Sequence, residues 1–553
     1  MNIKTNNYYK YLIYIIPAVY LLLGFYFRQI FGDLSLRSVD PDYLHFLSGL
    51  CISTGKLSQA NIDHPGTPLQ ILLAIIFQII YFFRSHNLSY FQDVILHSDF
   101  YLAIGNLTVT VLIAAVLFWV GKAVYRVSGN LLYALVIQTA PLLIKMWYDI
   151  IGRIYPELLF VIPVFILVFL LFREMFSAES RSGNSVVLFA LAVGLGLALK
   201  MTFVPFMVLP LFIIRKNRNR IKYLLFTIFF FFLFALPVLF QFNRFQHWMI
   251  GIFVHSGPYN SGNSNIIDVS SFLKNTHSLY ASQKLFFYAF FVMVGLLIIF
   301  LFLKKTKTSL FRISLGLTIA FLGMIFIMGK HYQMRYFIPA LLFLPFVLVV
   351  DMEMLVGLFK KKAVFTGFVA FLVLIIGVGL IKRIPDIRFT SQYITAQMAA
   401  REKTAAFVQT LPADSYKIIV SQDYGCPLQA YAIMYSFCVA GKNWPGYKEK
   451  LNRLYPNTYQ YFTWDNTLKY WGKPFNPDTV IHSGKPVYLY LQKNTNTLYS
   501  RAIRKLFIGF PGFSVQKKLI FENPKNGEVL LQLFLSKSVA RDVSKTKGTK
   551  KFR

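Results

Sequence analysis

Tyr11–Phe27 reads Tyr-Leu-Ile-Tyr-Ile-Ile-Pro-Ala-Val-Tyr-Leu-Leu-Leu-Gly-Phe-Tyr-Phe, without one charged side chain. A bilayer core about 30 Å thick takes about 20 mostly apolar residues of helix, because each backbone N–H and C=O inside it must bond within the segment. Ten further stretches are mostly apolar, several with a charged or polar residue at one end: Tyr101–Gly121, Leu131–Met146, Ile154–Phe172, Ser185–Leu199, Phe203–Ile214, Tyr223–Gln241, Leu285–Leu303, Leu310–Gly329, Tyr336–Val350 and Val364–Ile381. The expected fold class is therefore an α-helical polytopic membrane protein with about eleven transmembrane helices. Composition agrees: of 553 residues 56% are hydrophobic and 14% charged, against about 25% charged in soluble proteins. A soluble enzyme, a disordered chain and a collagen-like fibre are excluded. Three cysteines exclude a disulfide-rich scaffold and a four-cysteine zinc site.

A net charge of +34 raises the question of nucleic acid. The positions of the charges answer it. With the N-terminus inside beside Lys4 and Lys10, strict alternation puts Lys122/Arg126, Arg173/Arg181, Arg215–Arg220, Lys304–Lys307 and Lys360–Lys362 on one side. Basic residues in short loops mark the cytoplasmic face, so the charge follows membrane topology and no nucleic-acid partner is expected. No small-residue cleavage site follows the first apolar run, which reads as an uncleaved helix. Pro68–Phe83 would invert the alternation if it spanned, so it reads as a re-entrant or surface helix. On this topology Glu174, Glu179, Asp351 and Glu353 fall inside. Asp33, Asp40, Asp42, Asp63, Asp93, Asp99, Asp149, Glu157 and Asp268 fall outside, so the chemistry is expected to face outward.

Beyond Ile381 no spanning run remains. Residues 1–383 read as the membrane domain, 384–538 as an extracytoplasmic mixed α/β domain and 539–553 as a disordered basic tail. Tyr416–Ser421, Pro486–Leu491 and Glu528–Leu535 have strand alternation, while Arg401–Leu411 and Leu428–Met434 read as helices. Cys426 and Cys438 form either a disulfide or two buried thiols. No Walker A, His-Glu-x-x-His or Gly-x-Ser-x-Gly sequence occurs. Gly194-Leu195-Gly196 lacks the third glycine of a dinucleotide loop and fits close helix packing better.

The first outer loop carries Asp40-Pro41-Asp42-Tyr43, then Asp63-His64-Pro65-Gly66-Thr67-Pro68. Two carboxylates one residue apart suit a base with its orienting partner, or a metal. Equally, Asp40 with Pro41 after it is a helix start. His64 offers a further ligand for a divalent metal ion with Asp40 or Asp42, or caps the helix near Pro68. Lys145, Asp149, Arg153 and Glu157 follow i,i+4 spacing and form a charge ladder if the helix survives Pro156.

Asp-x-Asp just outside the first helix, then His-Pro-x-x-Pro, resembles the GT-C superfamily of polytopic glycosyltransferases. Protein O-mannosyltransferases and lipid A aminoarabinose transferases are among its members. Arg153-Ile154-Tyr155-Pro156-Glu157, Gly194–Lys200 and His331–Pro339 resemble the family's later segments, in the right order over roughly residues 1–380. Where the family often has adjacent Asp-Glu, this chain has Asp-Pro-Asp, so the base is Asp40 or Asp42. The resemblance implies an inverting transferase that takes a sugar from a polyprenyl-phosphate donor to an acceptor outside the cytoplasm. The implied location is a bacterial inner membrane. A carboxylate would take the acceptor proton. The leaving lipid phosphate needs cations at membrane depth, for which Lys200, Arg335, Arg153, His331 and Lys330 are the candidates. Glu157 and His64 are read as further substrate-contacting groups. The rival is a transporter or flippase of lipid-linked sugars, which would need polar residues along its spans rather than at their outer ends. Residues Phe242–Gln283 form an outer loop expected to close over the donor.

Overall fold

The computed structural model describes residues 7–37, 39–63, 65–84, 87–176, 184–255, 265–359, 362–421, 425–426, 428–463, 465–493 and 495–537. Seven helical stretches among them are long and apolar enough to cross a membrane: Tyr11–Phe31, Ser98–Ser128, Pro156–Phe176, Lys284–Phe302, Ser309–Lys330, Met334–Phe359 and Thr366–Gln409. Each covers one of the expected stretches. The other four expected stretches are helical but shorter or broken. Asn184–Leu199 has 16 residues. Leu131–Gln138 passes into a 3-10 turn, Ala140–Leu143, at Pro141. Phe203–Ile214 becomes a 3-10 turn, Met201–Met207, and a short helix, Leu209–Ile213, around Pro205 and Pro210. Asn217–Phe234 ends just before Pro237. Proline has no N–H to donate and its ring clashes with the carbonyl four residues back, which accounts for the breaks at Pro141, Pro205, Pro210 and Pro237.

The chain divides into two compact units. One comprises Met1–Gly32 with His45–Ile394; the other comprises Asp33–Leu44 with Thr395–Arg553.

In the first unit the helix Ser98–Ser128 packs against Ile15–Phe31, Leu131–Gln138 and Val161–Phe176. Asn184–Leu199 packs on Asn217–Phe234. Gly194 allows that approach: a Cβ there would stand 2.9 Å from the Phe231 nitrogen. Small residues let helix backbones close up where no hydrophobic drive separates protein from lipid. The expected re-entrant segment is the helix Thr67–Phe83. Two helices, Phe242–Val254 and Val269–Ser282, occupy most of the expected outer loop. Its turn-rich centre, residues 256–264, lies outside the described residues.

The second unit holds a six-stranded sheet. Its strands are β1 (Tyr416–Ser421), β2 (Thr458–Phe462), β3 (Thr467–Tyr470), β4 (Val487–Leu491), β5 (Phe513–Asn523) and β6 (Glu528–Lys537). The order is β3-β2-β1-β4-β6-β5. β1 runs parallel to β2 and β4, and the outer pairs are antiparallel. Ile418, Val420, Leu489, Leu491, Val529 and Leu531 point into one core. The helix Asn496–Leu506 covers it with Leu498, Ala502 and Leu506, one residue per turn. The expected strands are all present within a residue or two at their ends. The expected helix Leu428–Met434 is Gln429–Val439, and Arg401–Leu411 proves to be the end of a long helix, Arg383–Gln409. Cys426 and Cys438 are unpaired thiols. The basic tail lies outside the described residues.

Candidate active site

Lys200 sits where a helix stops. Asn184–Leu199 ends one residue earlier and the 3-10 turn Met201–Met207 begins one residue later. Between them Lys200 is extended, with φ −165° and ψ 133°. It forms an isolated antiparallel bridge with Pro65, and the Gly66 N–H donates to the Leu199 carbonyl at 3.2 Å. The chain break thus brings the Asp63–Pro68 motif and the Gly194–Lys200 motif together. Gly66 has φ +67°, in the left-handed region that only glycine adopts freely.

The Lys200 ammonium is 3% exposed and donates to Glu157 Oε1. Glu157 opens another 3-10 turn, Pro156–Phe160, and is 1% exposed. Arg335 comes from a third such turn, Met334–Phe337, with its Nε 3.9 Å from the same Glu157 oxygen. Tyr336 lies beneath both cations: its ring centroid is 4.5 Å from Lys200 Nζ and 5.8 Å from Arg335 Cζ. Glu157 Oε2 is buried without a hydrogen-bond partner. Lys200 and Arg335 thus share one buried carboxylate, in a place where charge interactions are strong.

Several of the expected site residues have specific partners in the structure. The i,i+4 ladder does not form. Lys145 pairs with Asp386 at 3.3 Å, Asp149 accepts from Thr390 at 3.3 Å, and Glu157 pairs with Lys200. The only helix under the ladder is Trp147–Ile150, one turn long. Arg153 stacks over the Tyr155 ring at 4.7 Å, and its carbonyl accepts from Asn106 at 2.7 Å. His331 donates from Nε2 to the Ile252 carbonyl at 3.2 Å. Burial holds its pKa below the usual imidazole value. Lys330 donates to the Phe253 carbonyl at 2.7 Å. Lys330 and His331 thus anchor the end of the helix Phe242–Val254.

Asp40 and Asp42 belong to the second unit. The Asp40–Pro41 peptide is cis, the helix begins at Asp42, and Asp42 is fully buried. His64 lies outside the described residues. Among the described residues no group of three or more His, Cys, Asp and Glu side chains could hold a metal ion.

His45 was not legible as a site residue. It lies on the helix Asp42–Ser53, buried, with Nδ1 3.5 Å from Gln70 Nε2. Burial pushes its pKa down to about 4, opposed by Glu157 and helped by Lys200 and Arg335. Its ring faces Gly66, where a Cβ would stand 2.9 Å from His45 Cε1. The same Gln70 amide donates to the Asn61 carbonyl at 2.9 Å. Arg244 contacts Asp63 at 3.4 Å, and Gln241 donates to the Ala60 carbonyl at 2.8 Å. The segment before Gly66 is therefore held on both sides. The only sequence signal for His45 was its place one turn after Asp42.

No protein-family model matches the chain, and no curated protein matches it. Solved structures do. The crystal structure of ArnT from Cupriavidus metallidurans in the apo state aligns with a TM-score of 0.51 at 10% sequence identity. The alignment covers 94% of this chain and 97% of that one. The crystal structure of the same protein bound to undecaprenyl phosphate aligns at 12% identity over the same shares, with a TM-score of 0.46. The first likeness shows that the chain shares the fold of that protein, with a polytopic helical part followed by a mixed α/β region.

Proposed function

We propose that the chain is an integral membrane glycosyltransferase of GT-C type, moving a hexosyl or pentosyl group from a polyprenyl-phosphate donor to an acceptor outside the cytoplasm. The observation that carries this is the cluster of buried Lys200 and Glu157 with half-buried Arg335. Three separate chain breaks deliver two cations to one carboxylate, at a place where burying a charge is costly. A site that only needed stability would be better filled with apolar side chains. Two cations placed together in this way suit an anionic leaving group such as a lipid phosphate.

In this reading residues 1–383 carry the transfer chemistry, 384–538 form an outer α/β domain and 539–553 a basic tail. Asp40 or Asp42 accepts the proton of the acceptor hydroxyl. The acceptor oxygen forms a bond to the anomeric carbon as the bond from that carbon to the phosphate oxygen breaks. The electron pair leaves with the lipid phosphate, whose growing charge Lys200 and Arg335 stabilise. A single displacement inverts the anomeric carbon. Arg153 lies in the same motif as Glu157 and is a second source of positive charge for the donor.

Purified protein in liposomes with a labelled polyprenyl-phosphate sugar tests this. Label should pass to an acceptor from a crude envelope extract with the opposite anomeric configuration. Label that only changes leaflets, with no new glycosidic bond, would establish the transporter instead.

A further inference from the structure

The loop that carries Asp40 and Asp42 belongs to the same compact unit as the C-terminal sheet. The short helix Leu34–Arg37 packs against Gln429–Val439, with Leu34, Ser35 and Leu36 buried. Arg401, on the helix Arg383–Gln409, donates from Nη1 to two successive carbonyls of this segment, those of Leu36 and Arg37. The bond to Arg37 is 2.5 Å long. Gly425 leaves the room for it: a Cβ at that position would overlap both the Arg401 guanidinium and the Arg37 carbonyl. No other residue type fits there without displacing one of them.

Arg401 is itself held from the sheet. One turn along the same helix, Thr404 donates to Glu528 Oε2 at the start of β6. The other Glu528 oxygen accepts from Tyr490 of β4 at 3.0 Å. Asn523, at the end of β5, donates to the Ala400 carbonyl at 2.7 Å and to Thr404 at 2.9 Å. Thr404, Asn523 and Glu528 are all buried. Buried polar groups with every partner in place fix one arrangement, since each broken bond strands a desolvated group. One guanidinium nitrogen bonded to two consecutive carbonyls holds that stretch of backbone from a planar, pre-organised group.

We propose that Arg401 is a positioning residue. Through Arg401 and Gly425 the C-terminal domain clamps Leu36–Arg37 and so sets the loop that presents Asp40 and Asp42 to the acceptor. This rests on the proposed role of those carboxylates. The domain is then part of the catalytic apparatus rather than an appendage. Misplacing a reacting group by about 1 Å can cost about 100-fold in rate, whereas donor affinity, set elsewhere by cations, should be unaffected.

The test uses the full chain in nanodiscs with Arg401→Ala, Arg401→Lys, Gly425→Ala and Asp40→Asn/Asp42→Asn. Amide hydrogen exchange is followed over residues 36–43 and over β1, β4 and β6. Arg401→Ala and Gly425→Ala should speed exchange in residues 36–43 while leaving the strands protected. They should lower kcat by about 10- to 100-fold with donor Kd unchanged, and Arg401→Lys should recover part of the loss. Unchanged exchange in residues 36–43, or equal loss of protection in the strands, overturns the clamp. Faster exchange there with undiminished kcat also overturns it, provided Asp40→Asn/Asp42→Asn is inactive. If that double variant keeps full activity, the carboxylate reading fails, while the exchange data still decide whether Arg401 holds the loop.

Discussion

Replacing Lys200 by Met keeps the bulk of the side chain but strands the Glu157 carboxylate. That carboxylate is 1% exposed and its second oxygen has no hydrogen-bond partner. Removing one member of a buried ion pair costs about 3–5 kcal/mol, most of it from the charge left behind. Arg335 remains 3.9 Å from the same oxygen, so Lys200→Met belongs at the low end, about 3 kcal/mol. Glu157→Gln leaves two cations over one tyrosine ring and should cost a similar amount. The double variant Lys200→Met/Glu157→Gln removes both charges and should cost no more than either single change. The coupling is then about 3 kcal/mol, the upper end for residues in direct contact. Equilibrium unfolding in mixed detergent micelles, on wild type, both singles and the double, measures it. If the two losses add to within about 0.5 kcal/mol, Lys200 and Glu157 are not paired and the central geometry is wrong.

Stability should depend on pH through His45. Its folded pKa is about 4, against about 6.5 when unfolded, so between those values the unfolded chain binds a proton that the folded chain refuses. The stabilisation is therefore complete above pH 6.5 and declines as pH falls toward 4, by about 3 kcal/mol in total; His45→Gln should flatten unfolding midpoints between pH 6.5 and 5, and an unchanged slope would show that another group titrates. Gly66→Ala should lower the unfolding midpoint through a left-handed backbone at φ +67°, worth about 1–2 kcal/mol, and through overlap with His45; wild-type stability would mean that the turn relaxes freely. Reporter fusions after Ile214 and Leu303 should read cytoplasmic, and those after Met146, Gly329 and Ile381 outside. An outside signal after Ile214 would reverse the alternation on which the outward site depends.

Much of the fold was legible because its signals are physical and local. Apolar runs announce membrane helices, and alternation announced β1, β4 and β6. β5 was missed because Phe513–Asn523 carries Lys517 and Lys518 within an exposed edge strand and shows no clean alternation. β2 and β3 are short and lie between turns. Proline marked the interrupted helices, yet their purpose was hidden. Extended Lys200 and the 3-10 turns at Glu157 and Met334 bring together side chains 43 and 178 residues apart in sequence (200 − 157 and 335 − 157). Local periodicity carries no record of such a meeting. The same holds for Arg401 and Leu36, 365 residues apart. Lys200, Arg335 and Glu157 could each be singled out as costly charges near the bilayer. That Glu157 faces Lys200 rather than Arg153 required the coordinates.

Donor binding measured in parallel with sugar transfer tests the account most directly. Labelled polyprenyl-phosphate sugar is titrated against wild type, Asp40→Asn, Asp42→Asn, the double Asp40→Asn/Asp42→Asn and Lys200→Ala. The carboxylate that acts as base should lose turnover on conversion to the amide while donor Kd stays at the wild-type value. Lys200→Ala should weaken donor binding by roughly 10- to 150-fold, the worth of one charge-assisted hydrogen bond of about 1.5–3 kcal/mol. Full transfer by both single amide variants and by the double, or wild-type donor affinity in Lys200→Ala, would contradict the division of labour between the outer-loop carboxylates and the cations beside Glu157.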